Sequence, residues 1–123
     1  MIKQKSGFEY KFNAAANEMT VCITGEVDHH GAVSIRGDID RLIFERRPSR
    51  LIMDLSRVDF MDSSGLGLIM GRYSVMSKLG GQMLLLDPCP RVSKIIALSG
   101  LDRMIKIKRS SYDVEKGRRE KRK

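Results

Sequence analysis

The chain has 123 residues, of which 41% are hydrophobic and 6% aromatic, so its length fits one domain with a single core. It contains no apolar run near the ~18 residues that span a membrane, and its polar N-terminus lacks the apolar centre of a signal peptide, so we expect a cytoplasmic protein without membrane contact. The formal net charge of +8 is concentrated in residues 103–123, which hold ten basic and three acidic residues and leave a nearly neutral remainder.

The first elements along the chain are two predicted strands, at residues 7–13 and 18–27. Apolar and polar residues alternate in the second, which is typical of a half-buried strand. Cys22 lies in this alternation, and we expect it in the core rather than in catalysis. Together with Cys89 it forms neither a CxxC pair nor a dense framework, which indicates free, buried thiols in a reducing compartment.

The periodicity then changes between helix and strand. Residues 30–46 carry apolar side chains at three- and four-residue spacing, which predicts a helix that ends before Pro48. The apolar run "LIMDL" at 51–55 predicts a buried central strand. The remaining predicted elements are a helix that begins at 62–64 and ends at Gly80-Gly81, a strand at 82–87, a short helix at 91–100 and a strand at 104–108.

Strands that alternate with helices require crossover connections and therefore favour a largely parallel sheet covered by helices. The first two strands are adjacent in the sequence and favour an antiparallel hairpin at one edge. The sequence thus predicts an α/β single domain with a mostly parallel sheet of four to five strands.

The C-terminal excess of Lys and Arg is typical of a solvated appendage. We expect residues 1–108 to form the domain and residues 109–123 to form a basic, disordered tail. Contact of the tail with an acidic protein surface, nucleic acid or a membrane stays open. Because charge alone binds nucleic acid without specificity, we do not expect a nucleic-acid partner.

The most informative segment is "VDFMDSSGLGLIMGRY" at 58–73. It links a predicted strand to a predicted helix, and such loops of parallel sheets open at the carboxyl edge, where these folds usually bind ligands. Gly65 and Gly67 in the first helical turn each cost ~1 kcal/mol relative to Ala, which favours a close approach by another backbone.

Several chemistries are compatible with this segment to different degrees. Helix capping alone accounts for Asp62, Ser63 and Ser64. A nucleophilic serine is disfavoured, because "DSSGLG" is not a G-x-S-x-G turn and the only histidines are His29 and His30. The glycine spacing fits neither a dinucleotide fingerprint nor a phosphate loop, and the histidine pair lacks a third metal ligand. We therefore expect no catalytic residue, cofactor or metal site.

The same segment resembles the phosphorylation motif of the anti-sigma-factor antagonists in the STAS-domain family. "GEVDHH" at 25–30 is similar to the GE-hydrophobic-D motif of that family, and its histidine pair resembles the sporulation stage II AA type, the anti-sigma F factor antagonists. The likeness continues in order through "GRYSVMSKLGGQMLLL" and "ALSGLDRMIKI". It covers roughly residues 7–108 and implies a STAS-like fold, whereas the basic tail departs from the family pattern.

The resemblance also implies a switch. Ser63, the first serine after Asp62, would be the phosphoacceptor. The unphosphorylated protein would bind an anti-sigma factor that is itself the serine kinase and so release the sigma factor, and a metal-dependent serine phosphatase would reverse the modification. The residues implied in the partner-binding surface are Asp28, Asp62, Ser63, Ser64, Gly65 and Gly67.

Two alternatives stay open at this point. The chain could act as the antagonist in a general stress-response sigma pathway. It could also be a STAS domain that binds or hydrolyses nucleotide weakly, with Asp28 and Ser63 at its site.

Overall fold

Five strands and three α-helices follow one another in the order that the sequence predicts. The computed structural model describes residues 7–110. Its elements are β1 (Gly7–Asn13), β2 (Glu18–Val27), α1 (His29–Arg46), β3 (Arg50–Met61), α2 (Ser63–Lys78), β4 (Gln82–Leu86), α3 (Pro90–Ser99), a 3-10 helix (Leu101–Arg103) and β5 (Lys106–Lys108).

The strands form one mixed sheet in the order β1-β2-β3-β4-β5. β1 and β2 pair antiparallel, and every later neighbouring pair is parallel. Each parallel connection runs through one helix, as crossover connections require. The predicted α/β fold with an antiparallel edge is therefore confirmed.

The sheet has one buried face and one open face. Val21, Met53 and Leu85 are neighbours in the register, are fully buried and share the core with apolar residues of all three α-helices. The residues between them point to the opposite face, since side chains alternate along a strand. On that open face Ile52 and Leu84 are only half-buried.

Cys22 lies on the open face, so the expectation that it belongs to the core is wrong. Its side chain is half-buried, and its register neighbour in β3 is Asp54. Partial burial, reinforced by the Asp54 carboxylate, raises the pKa of the Cys22 thiol above its usual value. Both Cys22 and Cys89 are free thiols, as the sequence indicates, but each is half-buried and not fully buried as expected.

β3 is longer than predicted and replaces the loop expected before α2. Its pairing with β2 shifts twice, so that two additional residues of β3 are accommodated opposite β2. As a result, the buried residues Leu55, Val58 and Met61 of β3 are three residues apart. This spacing differs from the two-residue alternation that predicts a strand, so the extension is not predicted from the sequence. The extension carries the end of β3 to the end of β2, where Val27 lies beside Met61.

The described chain continues beyond the expected domain boundary at 108. The Arg109 guanidinium donates to the Pro88 carbonyl at 3.1 Å and to the Ser93 hydroxyl at 2.6 Å. Ser110 donates its backbone N–H and its hydroxyl to the Asp87 carboxylate at 2.9 and 2.7 Å. These two residues are therefore attached to the domain, and the rest of the predicted tail, 111–123, lies outside the described residues.

Candidate phosphorylation and partner-binding site

Two helix N-termini meet at the carboxyl edge of the sheet. Because β2 and β3 end side by side, the residues that follow them, Asp28 and Asp62, are neighbours at this edge. Asp28 caps α1, and its Oδ1 accepts a hydrogen bond from the Gly31 N–H at 2.9 Å. Asp62 caps α2 in the same way and accepts from the Ser64 N–H at 2.8 Å. Both predicted site aspartates thus have a structural role in addition to any role in binding.

The two adjacent serines have different surroundings. Ser63 is the first residue of α2 and is exposed. Ser64 is half-buried, and it faces a groove between α1 and α2. The Ser63 hydroxyl is therefore the one that an approaching enzyme reaches most easily.

A groove of about 200 Å³ runs between the first turns of α1 and α2, and we call it the switch groove. Its α1 wall includes the polar side chains His29 and Arg36 together with Val33, which is 47% exposed. Its α2 wall includes Ser64 and Gly67. Arg36 is not among the site residues that the sequence predicts, because only the packing of the two helices shows that it lies beside Ser64 and Gly67.

The two glycines of the site have different surroundings. A Cβ at Gly65 would lie 2.6 Å from the Met61 Cβ, so the close neighbour is a side chain of the same chain rather than the backbone of another molecule. A Cβ at Gly67 would meet no described atom within 4 Å. Gly67 thus leaves open space in the wall of the switch groove, and Gly65 allows β3 and α2 to pack closely.

Gly65→Ala is expected to destabilise the domain by ~1–3 kcal/mol, because the new methyl group overpacks against Met61. Gly67→Ala is the matched control in the same helical turn, and it should leave stability unchanged or raise it by up to ~1 kcal/mol through helix propensity. Urea unfolding of both variants measures the difference. Equal stabilities for the two variants would contradict the assigned role of Gly65.

The helices that form the site are joined by a buried ion pair that the sequence analysis did not identify. Arg72 of α2 is 4% exposed, and its Nε lies 2.8 Å from Asp40 Oδ1 of α1. Burial lowers the pKa of the Arg72 guanidinium, and the nearby Asp40 carboxylate opposes that shift. The available signal was a charged residue between buried Leu68 and Met76, at four-residue spacing on one face of α2.

Within residues 7–110 no three or more side chains of His, Cys, Asp or Glu are grouped to hold a metal ion. None of the helices in the same range has both the length and the hydropathy needed to cross a membrane.

The fold and the site match those of known proteins. A profile of the STAS domain family matches residues 10–114. The chain is 37% identical to an anti-sigma F factor antagonist of Paenibacillus polymyxa over 97 residues. This aligned region covers 79% of this chain and 80% of that protein. The chain therefore belongs to the STAS domain family.

Two solved structures narrow the relationship within that family. One is the anti-sigma factor antagonist SpoIIAA in its unphosphorylated form, with a TM-score of 0.72 at 30% identity over 91% of this chain and 96% of that one. The other is the Bacillus cell fate determinant SpoIIAA in its phosphorylated form, with a TM-score of 0.66 at 29% identity over 89% and 98%. Within the STAS domain family the chain is an anti-sigma factor antagonist, and the resemblance predicted from "MDSSGLG" and "GEVDHH" is confirmed.

Proposed function

We propose that the unphosphorylated protein binds an anti-sigma factor through the N-terminus of α2 and the switch groove, and that phosphorylation of Ser63 ends this binding. The observation that supports the proposal most directly is the exposed position of Ser63 as the first residue of α2, next to the two capping aspartates. The surface around it offers both polar groups and an exposed apolar side chain, Val33. Such a mixture is typical of protein interfaces.

The proposed partner surface includes five of the six residues that the resemblance implies. Asp62 and Ser63 are exposed at the start of α2, Ser64 and Gly67 line the switch groove, and Asp28 is exposed at the start of α1. Gly65 is buried, so we assign it an indirect contribution through the packing of α2 against β3.

We infer that the anti-sigma factor is itself the kinase that modifies Ser63 and that a metal-dependent serine phosphatase restores the hydroxyl. An exposed residue at a helix start is accessible to both enzymes without unfolding of the domain. The antagonist acts in this scheme by binding and not by catalysis. Because its partners control transcription, we propose that it works in the cytoplasm.

The similarity to an anti-sigma F factor antagonist favours a sporulation pathway for this chain. In a general stress-response pathway, the partner would instead be an anti-sigma factor of the B type. Pull-down of the unphosphorylated protein with purified anti-sigma factors of the F and B types distinguishes them, and selective retention of the B type would overturn the sporulation assignment.

Kinase treatment is expected to place one phosphate on Ser63 and none on Ser64. Ser63→Ala should abolish incorporation, and the matched variant Ser64→Ala should retain it at a similar rate, because Ser64 is half-buried and its N–H is held by Asp62. Peptide mapping by mass spectrometry after incubation with the anti-sigma factor and ATP identifies the site. Phosphate found on Ser64, or retained in Ser63→Ala, would refute the assignment. Incorporation with ATP alone would instead support a nucleotide-dependent activity of the antagonist itself.

A further inference from the structure

The positive charge of the folded domain is distributed unevenly. Residues 7–77 hold eight basic and ten acidic side chains, whereas residues 78–110 hold seven basic and two acidic ones. The basic excess is therefore not confined to the tail, since a net charge of +5 belongs to the described segment from the end of α2 to Ser110. The carboxyl edge with the switch lies mainly in the acidic part, and β4, α3 and β5 lie in the basic part.

An open groove lies in the basic part, along the outer edge of β4. β5 pairs only with Leu84–Leu86, so that within residues 7–110 no strand lies beside Gln82 and Met83 on that side. The resulting edge groove has a volume of about 470 Å³. Its apolar lining includes Tyr73, Met83 and Met104, of which Met104 is 48% exposed.

Three cations line the same groove. Arg50 is partly neutralised, because its Nη1 lies 3.0 Å from Glu18 Oε2. Lys106 and Lys108 are exposed, and neither has a carboxylate of residues 7–110 within 4 Å. They are alternate residues of β5 and therefore point to the same side, ~6.6 Å apart along the strand.

That spacing equals the spacing of alternate side chains in any other extended segment. We propose that the edge groove binds an extended acidic segment of a partner protein, with two carboxylates at positions i and i+2 facing Lys106 and Lys108. The apolar lining at Tyr73 and Met104, which are half-buried and exposed respectively, accommodates an apolar side chain of the same segment. The partner is thus defined by its chemistry as an acidic, partly apolar stretch without regular helical structure.

Other occupants fit the groove less well. The C-terminal segment of the chain itself, 111–123, has a net charge of +3 and is repelled by the lysines. A bilayer presents its charge on a broad surface, whereas this site is a groove lined by both the cations and the apolar residues. An acidic peptide satisfies both the charge and the shape.

The edge groove is separate from the switch. Tyr73 is the residue of α2 in the groove lining that lies nearest in sequence to Ser63, and it follows Ser63 by ten residues, a distance of ~15 Å along the helix axis. Screening at physiological salt limits the reach of exposed charges to ~8 Å. The structure therefore allows the acidic segment to bind whether or not Ser63 is phosphorylated, which would give the protein a second, constitutive partner.

The test uses the full chain and a fluorescein-labelled peptide in which Glu and Leu alternate between Gly ends. A peptide with Gln in place of Glu is the control for charge. Fluorescence anisotropy should show binding of the Glu peptide, a loss of ~tenfold or more in affinity in Lys106→Glu/Lys108→Glu, and a change of less than ~threefold in Arg91→Glu/Lys94→Glu. The second variant carries the same change in net charge on exposed positions of α3 outside the groove. Ser63→Asp should bind the peptide as the unmodified chain does.

Several results would overturn the proposal. Equal losses in the two double variants would indicate diffuse attraction, and equal binding of the Gln peptide would exclude carboxylate recognition. If peptide addition changed the NMR chemical shifts of backbone amides only in 111–123, or only at the start of α2, the peptide would bind outside the edge groove. Tighter binding to phosphatidylserine vesicles that is lost in the Lys106/Lys108 variant would assign the groove to lipid. If the charge-reversed variant does not melt like the unmodified chain, Lys106→Gln/Lys108→Gln replaces it with the same expectations.

Discussion

Phosphorylation of Ser63 is expected to weaken binding to the anti-sigma factor by at least ~100-fold, which corresponds to ~2.7 kcal/mol, while the fold stays intact. Ser63→Asp should reproduce part of this loss, because one carboxylate carries less charge than a phosphate and has fewer acceptor oxygens. Isothermal titration of the three forms measures the affinities, and their melting curves measure the stability.

The physical reason is the sum of charge at the start of α2. A phosphate adds about −1.5 to −2 charges, and the helix dipole supplies only about +0.5 at that end. Asp59 and Asp62 are exposed nearby in the chain, and Asp28 is exposed at the neighbouring strand end. Binding would have to strip water from this whole group, and burying an unpaired charge is expensive.

Ser74→Asp is the matched control, since Ser74 is exposed and lies eleven residues further along α2, on nearly the same face and ~16 Å away. This variant should bind the anti-sigma factor with an affinity within a few-fold of the unmodified chain. An equal loss from Ser63→Asp and Ser74→Asp would show that overall charge, and not the site, controls binding. A phosphorylated protein that melts many degrees lower would show that the modification acts by unfolding the domain.

The fold could be predicted largely from periodicity, and the exceptions have local causes. Alternation in 18–27 and helical spacing in 30–46 correctly identified β2 and α1. The extension of β3 to Met61 was missed because two additional residues change the spacing of its buried side chains from two to three. A sequence pattern contains no information about such a bulge until its partner strand is known.

The sequence predicts where the site lies but not which residues of the two helices come together there. The motif around Ser63 predicted where α2 starts, and the structure adds that Ser63 is exposed whereas Ser64 faces the switch groove. The position of Arg36 beside α2 and the ion pair between Arg72 and Asp40 depend on how two helices pack across long sequence separations. Local propensity does not specify those contacts.

Removal of Asp40 from the ion pair with Arg72 is expected to be the most destabilising polar substitution considered for this domain. Asp40→Asn leaves a guanidinium that is 4% exposed without its countercharge, and breaking a buried pair in this way costs ~3–5 kcal/mol. Because the Asp40 side chain itself is 29% exposed and therefore partly screened, we expect a loss somewhat below that range, ~2–3 kcal/mol. Arg72→Met should cost less, since the remaining carboxylate can be reached by water.

Asp38 and Arg41 provide the matched control on the same helix. Their ion pair is 3.0 Å long but has side chains 43% and 62% exposed, so Asp38→Asn should change stability by less than ~0.5 kcal/mol. Urea unfolding of Asp40→Asn, Arg72→Met, their double variant and Asp38→Asn provides the comparison. The double variant should be more stable than the sum of its single losses predicts, because neither charge remains unpaired.

The same four variants also test whether the ion pair positions the two walls of the switch groove. α1 and α2 each contribute one wall of the switch groove, and the Asp40–Arg72 pair joins the two helices. If it holds the walls in register, the double variant should bind the anti-sigma factor ~threefold to tenfold more weakly even where it is fully folded, and its binding to the acidic peptide at the edge groove should be unchanged. Asp38→Asn should affect neither. An Asp40→Asn variant as stable as Asp38→Asn would show that the Arg72 guanidinium is solvated in solution, and the ion pair would then have no role in holding α1 against α2.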